Sequence, residues 1–359
     1  LVVRECYRAG AAHVEVDWEC SALDKLAYRN ESLTRLSEVP EWKTARLQQR
    51  LETLPCMIYI LSDGPDALQG GNQEKTKPYS DAMENRYQWT IVGAPSAAWA
   101  KKVFPTLRSG AAVQRLWQAI FDTVGIDGES DPVEVWRERN RLFEHRCRVM
   151  NDYRFRRLHY RSANGTNFTA GLIPSAQWAG GGETTLSGAF FNPNLPTEEL
   201  FTTPMRGEAE GRLVATKPLS FRGQLIENFW LEFEQGRVVR FDAGTGREVL
   251  DKLLSSDEGA SMLGELALVP QSSPISRSGI LFYNTLYDEN ASCHVALGKG
   301  YTNVIEGYES MTQEELAQAG ANDSMVHVDF MIGSDDLSIV GERENGETIP
   351  VFEHGEWAI

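Results

Sequence analysis

Short apolar runs rich in β-branched and aromatic residues punctuate the first part of the chain, at His13–Trp18, Cys56–Ser62 and Trp89–Ala94. Between them apolar positions recur at helical spacing, over Cys20–Leu36, Glu41–Leu54, Lys75–Arg86 and Ser96–Val103. Strands separated by helices predict a parallel sheet with crossover helices. Two amphipathic helices are predicted next, over Ala111–Thr123 and Pro132–Asn151. The second carries Pro132 just inside its start and Asp131 as its N-cap.

The pattern changes near Asp152. RFRRLHYRSANGTNFTAGLI reads as strand, Asn164-Gly165 turn and strand, a strong short-range hairpin signal. The same form recurs around Gln235-Gly236 and Asn345-Gly346, with helices predicted near Gly246–Leu254 and Thr312–Ala319. The expected fold is therefore an N-terminal parallel-sheet α/β domain over 1–152 and a C-terminal, mainly antiparallel α+β domain over 153–359. The opening, VVRECYRAGAAHVEVDW, reads as a helix feeding a strand. An α/β domain ordinarily places a strand before such a helix, so a native first strand is expected to be lacking.

Composition narrows the function. At 359 residues the chain is long enough for two domains. The 35 Lys+Arg against 51 Asp+Glu leave a net charge of −16, which disfavours nucleic acid or an anionic membrane as partner. No apolar run reaches the length of a membrane span, and Leu1 does not begin a charged leader. Five scattered cysteines without CxxC spacing predict reduced thiols and a cytoplasmic location.

Candidate chemistry concentrates between Glu198 and Asp329. In an extended strand, residues two apart share a face, so His327 and Asp329 in MVHVDFMIG sit side by side. A core histidine satisfied by a neighbouring aspartate is the plain alternative. Glu198 and Glu199, in NLPTEELFTTP, taken alone fit a helix N-terminus after Pro196 better than they fit a ligand. Glu265 interrupts the apolar MLGELALVP; taken alone it fits a solvent-facing position on an amphipathic element. Glu289 and His294, in DENASCHVALG, would lie about 140° apart on an ideal helix, so they converge only if the segment is irregular. Taken together, several carboxylates and two imidazoles would be costly to bury separately and suit a hard-to-borderline divalent metal. Other motifs are weak or missing. Gly180-Gly181-Gly182 lacks the Lys-Ser/Thr ending of a phosphate loop, and neither HExxH nor G-x-S-x-G occurs.

At these residues the sequence resembles the thermophilic-aminopeptidase family of dinuclear metallopeptidases. The matching words are NLPTEELFTTP, LGELALVP, SPISRSGILFYNTLYDENASCHVALGKGY and HVDFMIG, with TIVGAPSAAWAKKVFP in the N-terminal part. The resemblance implies release of N-terminal amino acids from peptides by attack of a metal-bridged water on the first peptide bond. It implies two divalent ions (Zn, Co, Mn or Mg) held by Glu199, Glu265, Glu289, His294, His327 and Asp329. Glu198, adjacent to a ligand, is then the candidate general base; Tyr301, which closes the ALGKGY word and matches a family tyrosine at the metal centre, is a candidate either to stabilise the oxyanion or to ligate. A homodimer is also implied. Two rivals stay open at this point: another two-metal hydrolase, such as a phosphoesterase served by the flanking Arg206, Arg277 and Lys299, or a non-catalytic metal- or peptide-binding protein.

Overall fold

Local signals set most element boundaries. The computed structural model describes residues 1–62, 79, 82, 83, 85–221 and 223–359. Ser96 caps the helix Ala97–Val103 by accepting from the Trp99 N–H. Asp131 caps Pro132–Tyr153 by accepting from the Val133 N–H, with Pro at the first turn. Helices also span Glu41–Thr53 and Ser109–Thr123, close to expectation. The helix expected over Lys75–Arg86 falls largely outside the described residues.

Two N-terminal expectations fail. The helix expected over Cys20–Leu36 is two, Ser21–Asn30 and Leu33–Leu36. Glu31 turns extended, and Ser32 starts a second helix by accepting from the Arg35 N–H. His13–Trp18 forms no strand. Its alternation is right, but no edge lies alongside to pair with it among the described residues. Its acids face basic residues of the helix Glu41–Thr53 instead, Glu15 at 3.3 Å from Arg46 and Asp17 at 2.6 Å from Arg50.

The expected parallel strands are Met57–Leu61 and Trp89–Gly93, paired in parallel register. A third parallel strand, Asn194–Leu195, joins Trp89–Gly93 from much later in the chain. The helices Ala97–Val103 and Ser109–Thr123 pack through Trp99, Leu116 and Ile120 against Ile275, Phe282, Leu286 and Tyr287. The Trp99 indole N–H donates to the Phe282 carbonyl at 2.6 Å. These early helices thereby brace the segment that leads into Glu289.

A nine-stranded sheet contains all three expected hairpins. Phe155–Arg161 pairs antiparallel with Asn167–Leu172, Gln224–Glu234 with Arg237–Thr245, and Ser338–Arg343 with Thr348–Glu353. The turns carry positive φ at Gly165, at Gln235 and Gly236, and at Gly346. Helices follow at Arg247–Leu254 and, with a Thr312–Glu315 capping box, at Gln313–Ala319.

A separate five-stranded antiparallel sheet has the order His327–Met331, His294–Gly298, Leu263–Leu268, Leu200–Thr202, Ala179–Gly180. Its two faces differ, as period-two alternation allows. Leu266, Leu268, Val295, Leu297 and Phe330 enter the large apolar core shared with the nine-stranded sheet. The other face carries the polar residues described next. The whole is a mixed α/β architecture with several sheets. No helix among the described residues is long and apolar enough to cross a membrane.

Candidate metal centre

Strand register assembles the site. Ala296 is paired with Glu265 on one side and with Asp329 on the other. His294 lies opposite Ala267, and His327 opposite Gly298. One face therefore presents Glu265, His294, His327 and Asp329 with only Ala267, Ala296 and Gly298 between them. Methyls and a bare glycine leave room where larger side chains would fill it. Gly298 is needed for a second reason: its φ is +104°, and a Cβ there would collide with the Val326 carbonyl.

Glu199 arrives from the side. The NLPTEELFTTP segment is not a helix N-terminus; it bends at Pro196 after the strand Asn194–Leu195 and leads into Leu200–Thr202, which pairs with Leu263–Leu268. Its two glutamates meet different partners. The Glu199 carboxylate lies 3.0 Å from His294 Nε2, whereas the Glu198 carboxylate lies 3.3 Å from Arg139. Glu265, which read as solvent-facing in isolation, is only 3% exposed. The central strand that carries it is buried along its whole length.

The two histidines are held alike. His294 Nδ1 donates to the Ser292 carbonyl at 3.1 Å, and His327 Nδ1 donates to the Lys299 carbonyl at 2.7 Å. A carbonyl can only accept, so both Nδ1 atoms carry a proton and both Nε2 atoms face carboxylates. His327 Nε2 lies 3.1 Å from Glu265 and 3.3 Å from Asp329. Fixing one ring nitrogen on a carbonyl while the other faces the site is how metal-binding histidines are oriented.

Two triads result: Glu199, Glu265 and His294, and Glu265, His327 and Asp329, with each triad's ligand atoms within 4.8 Å of one another. Glu265 belongs to both. One oxygen of Glu199 and one of Asp329 are buried without a hydrogen bond, although imidazole nitrogens lie close by. Buried carboxylate oxygens in excess of the donors around them are what a cation would satisfy. Titration follows the same crowding. Burial, with the charges of Asp329 and Glu199, pushes the Glu265 carboxyl up to about 7 despite the His327 contact. Burial opposes charge on His294, yet Glu199, Glu265 and Asp329 raise it to about 10. The donor set and its orphaned oxygens fit divalent cations.

Glu289 is brought near, but not into either triad. It begins a 3-10 turn, Glu289–Ala291, after the short helix Thr285–Asp288, and His294 then opens a strand. This is the irregular path that convergence of the two residues requires. Burial and the charges of Glu199 and Asp329 drive the Glu289 carboxyl well above its usual range. The Tyr301 ring lies tilted against that of His327, 4.8 Å centre to centre. Its hydroxyl is pushed well up by desolvation and by Glu265 and Asp329, although the residue as a whole opens onto solvent. Burial raises the Glu198 carboxyl against the pull of Arg139, Arg146 and Arg277. Cys293 is a packed thiol, raised to about 12 by burial. All five cysteines are unpaired. Sequence reasoning missed Asn290, the two orienting carbonyls and Arg139; the Glu198 contacts of Asn290 and Arg139 and the Lys299 carbonyl of His327 are distant in the chain, and the Ser292 carbonyl, two residues from His294, is a backbone group with no side-chain signal.

A cavity of about 430 Å³ reaches the centre, with Glu199, Phe201, Lys299 and Tyr301 in its wall and Arg50, Tyr59 and Trp89 facing them. Carboxylates and imidazoles grouped in this way are a donor set that could hold metal ions, as a metalloprotein requires. The model of the thermophilic metalloprotease family (M29) matches residues 1–357, and the chain belongs to that family. Aminopeptidase AmpS of Bacillus subtilis is 40% identical over 370 residues, covering 100% of this chain and 90% of that protein. Aminopeptidase T of Thermus aquaticus is 38% identical over 371 residues, again 100% and 90%. The structure of wild-type AmpT from Thermus thermophilus superposes with a TM-score of 0.90 at 35% identity, covering 100% of this chain and 90% of that one.

Proposed function

We propose that the protein is a metal-dependent aminopeptidase that removes amino acids from the free N-terminus of peptides. The observation that carries this reading is Glu265 shared between two carboxylate–histidine triads, in a member of a metalloprotease family. The sharing supports two ions per chain, with Glu199, Glu265 and His294 on one side and Glu265, His327 and Asp329 on the other. Glu289 would complete the set. Zn, Co, Mn and Mg all suit such donors. When bound, a pair of divalent ions acidifies water and polarises the scissile carbonyl.

The protein's own groups would do the rest. Excess buried negative charge would receive the protonated α-amine of the peptide. The cavity would seat the N-terminal residue between Tyr59 and Trp89 on one wall and Tyr301 on the other. The Tyr301 hydroxyl would donate to the oxyanion as it develops. Glu198, its carboxyl raised by burial, would take and return the proton. It faces Arg139 in this state, so the role requires the side chain to turn. In Glu198→Gln, metal content is expected to stay at the wild-type level while kcat falls roughly 10²-fold or more. Full kcat would remove Glu198 from the role.

The site would lie in an α+β domain over 153–359, with the cavity's other wall supplied by an α/β domain over 1–152. The family resemblance is the ground for expecting a homodimer, and scattered cysteines without CxxC spacing are the ground for expecting a cytoplasmic one. Of the cations that could serve a phosphate, Arg277 acts on Glu198 whereas Lys299 lines the cavity, so the phosphoesterase rival is decided by assay. Comparison of an aminoacyl-nitroanilide with nitrophenyl phosphate tests the reading. Turnover of the former alone, lost on chelation and restored by added metal, is expected; turnover of the phosphate ester alone would overturn it.

A further inference from the structure

Asn290 ties together two segments that carry proposed ligands. Its side chain is fully buried, at 0% exposure. The Oδ1 atom accepts from the Glu198 backbone N–H at 2.6 Å, across 92 residues of sequence. Its Nδ2 donates to the Leu286 carbonyl at 3.0 Å, in the short helix that leads into Glu289. Its own carbonyl accepts from the Ser273 hydroxyl at 3.1 Å, and Ser273 also caps the helix Pro274–Ser278. Asn290 follows Glu289 directly, and the amide that it holds belongs to the residue directly before Glu199.

From this geometry we infer that Asn290 is a positioning residue for the metal centre, setting the distance between the Glu199 and Glu289 carboxylates. The segment of Glu199 needs such a fixture. Leu200–Thr202 is held in its sheet, but Pro196 has no N–H to donate and Glu198 lies before the strand begins. Without Asn290, the Glu198 amide loses its buried partner and the approach to Glu199 is free to shift. Side chains that orient ligands from behind typically change metal affinity by about 10–100-fold when lost. The backbone-directed amide of Asn290 acts one residue further back, on the chain that carries the ligands.

The inference rests on the assignment of Glu199 and Glu289 as ligands, and the test keeps the two apart. Zn(II) affinity is measured on the intact protein by competition with a chromophoric chelator, alongside thermal unfolding of the metal-free form. Failure of the wild-type protein to bind Zn(II) would overturn the ligand assignment, and the positioning role with it. If the wild type binds, Asn290→Ala is expected to bind at least tenfold more weakly. Asn290→Asp retains an acceptor toward the Glu198 N–H and is expected to stay within about threefold of wild type. Ser273→Ala breaks the third contact and the helix cap but leaves the Glu198 tether; it is expected to lower the unfolding temperature with affinity unchanged. Wild-type affinity in Asn290→Ala, or equal weakening in both Asn290 variants, overturns the inference. If Asn290→Ala does not fold, Asn290→Asp decides: affinity within threefold of wild type supports the tether, and a tenfold loss refutes it.

Discussion

The nine-stranded and five-stranded sheets each hold a histidine against a carboxylate. On the nine-stranded sheet, His159 Nε2 meets Glu342 at 2.6 Å and Nδ1 meets the Thr169 hydroxyl at 2.9 Å. One imidazole, one carboxylate and one hydroxyl satisfy each other on three neighbouring, half-exposed strands. On the five-stranded sheet, His327 gives Nδ1 to a backbone carbonyl and turns Nε2 to two carboxylates, one of them also within reach of Glu199 and His294. There the acids outnumber the imidazoles, and one oxygen each of Glu199 and Asp329 is buried without a hydrogen bond. The lesson is that a His–acid contact is not a site by itself. Surplus buried negative charge is what calls for a cation.

Breaking the five-stranded cluster at its shared residue has the largest expected effect. Glu265→Gln is predicted to lower kcat/KM by roughly 10³-fold or more, since both triads lose a charged ligand at once. Retained activity above a tenth of wild type in steady-state assays would sink the shared-ligand account. His327→Ala removes one ligand from one triad, and a loss of about 10²-fold is expected in the same assay. Acidity sharpens the contrast further. Metal must displace protons from Glu265, which titrates near 7, and from His294, near 10. Both groups gain protons as pH falls, so Zn(II) affinity is predicted to rise at least about tenfold per unit between pH 6 and 8. Affinity flat across that range would contradict it. On the nine-stranded sheet, His159→Ala should leave metal content and activity at wild type and cost no more than about 1 kcal/mol in denaturant unfolding.

Much of this was legible in the chain. The hairpins at Asn164-Gly165, Gln235-Gly236 and Asn345-Gly346 form as their turn residues require. The cap at Asp131 is where the sequence places it. His327 and Asp329 share a strand face, as period-two spacing demands. What stayed hidden depends on partners far away in sequence. His13–Trp18 alternates like a strand but pairs with no strand among the described residues. Asn194–Leu195 is too short to read as a strand and exists because Trp89–Gly93 offers an edge. Glu265 looked solvent-facing because its burial depends on the strands on either side. Glu198 and Glu199 could be told apart only by their different partners, Arg139 and His294.

Metal content per chain, measured together with activity during reconstitution, tests the central claim most directly. Protein stripped by a chelator and titrated with Zn(II) or Co(II) should take up two equivalents, with hydrolysis of an aminoacyl-nitroanilide appearing only as metal is restored. Full hydrolysis by the stripped protein, or saturation of activity with the Glu265-centred cluster binding no ion, would contradict the account.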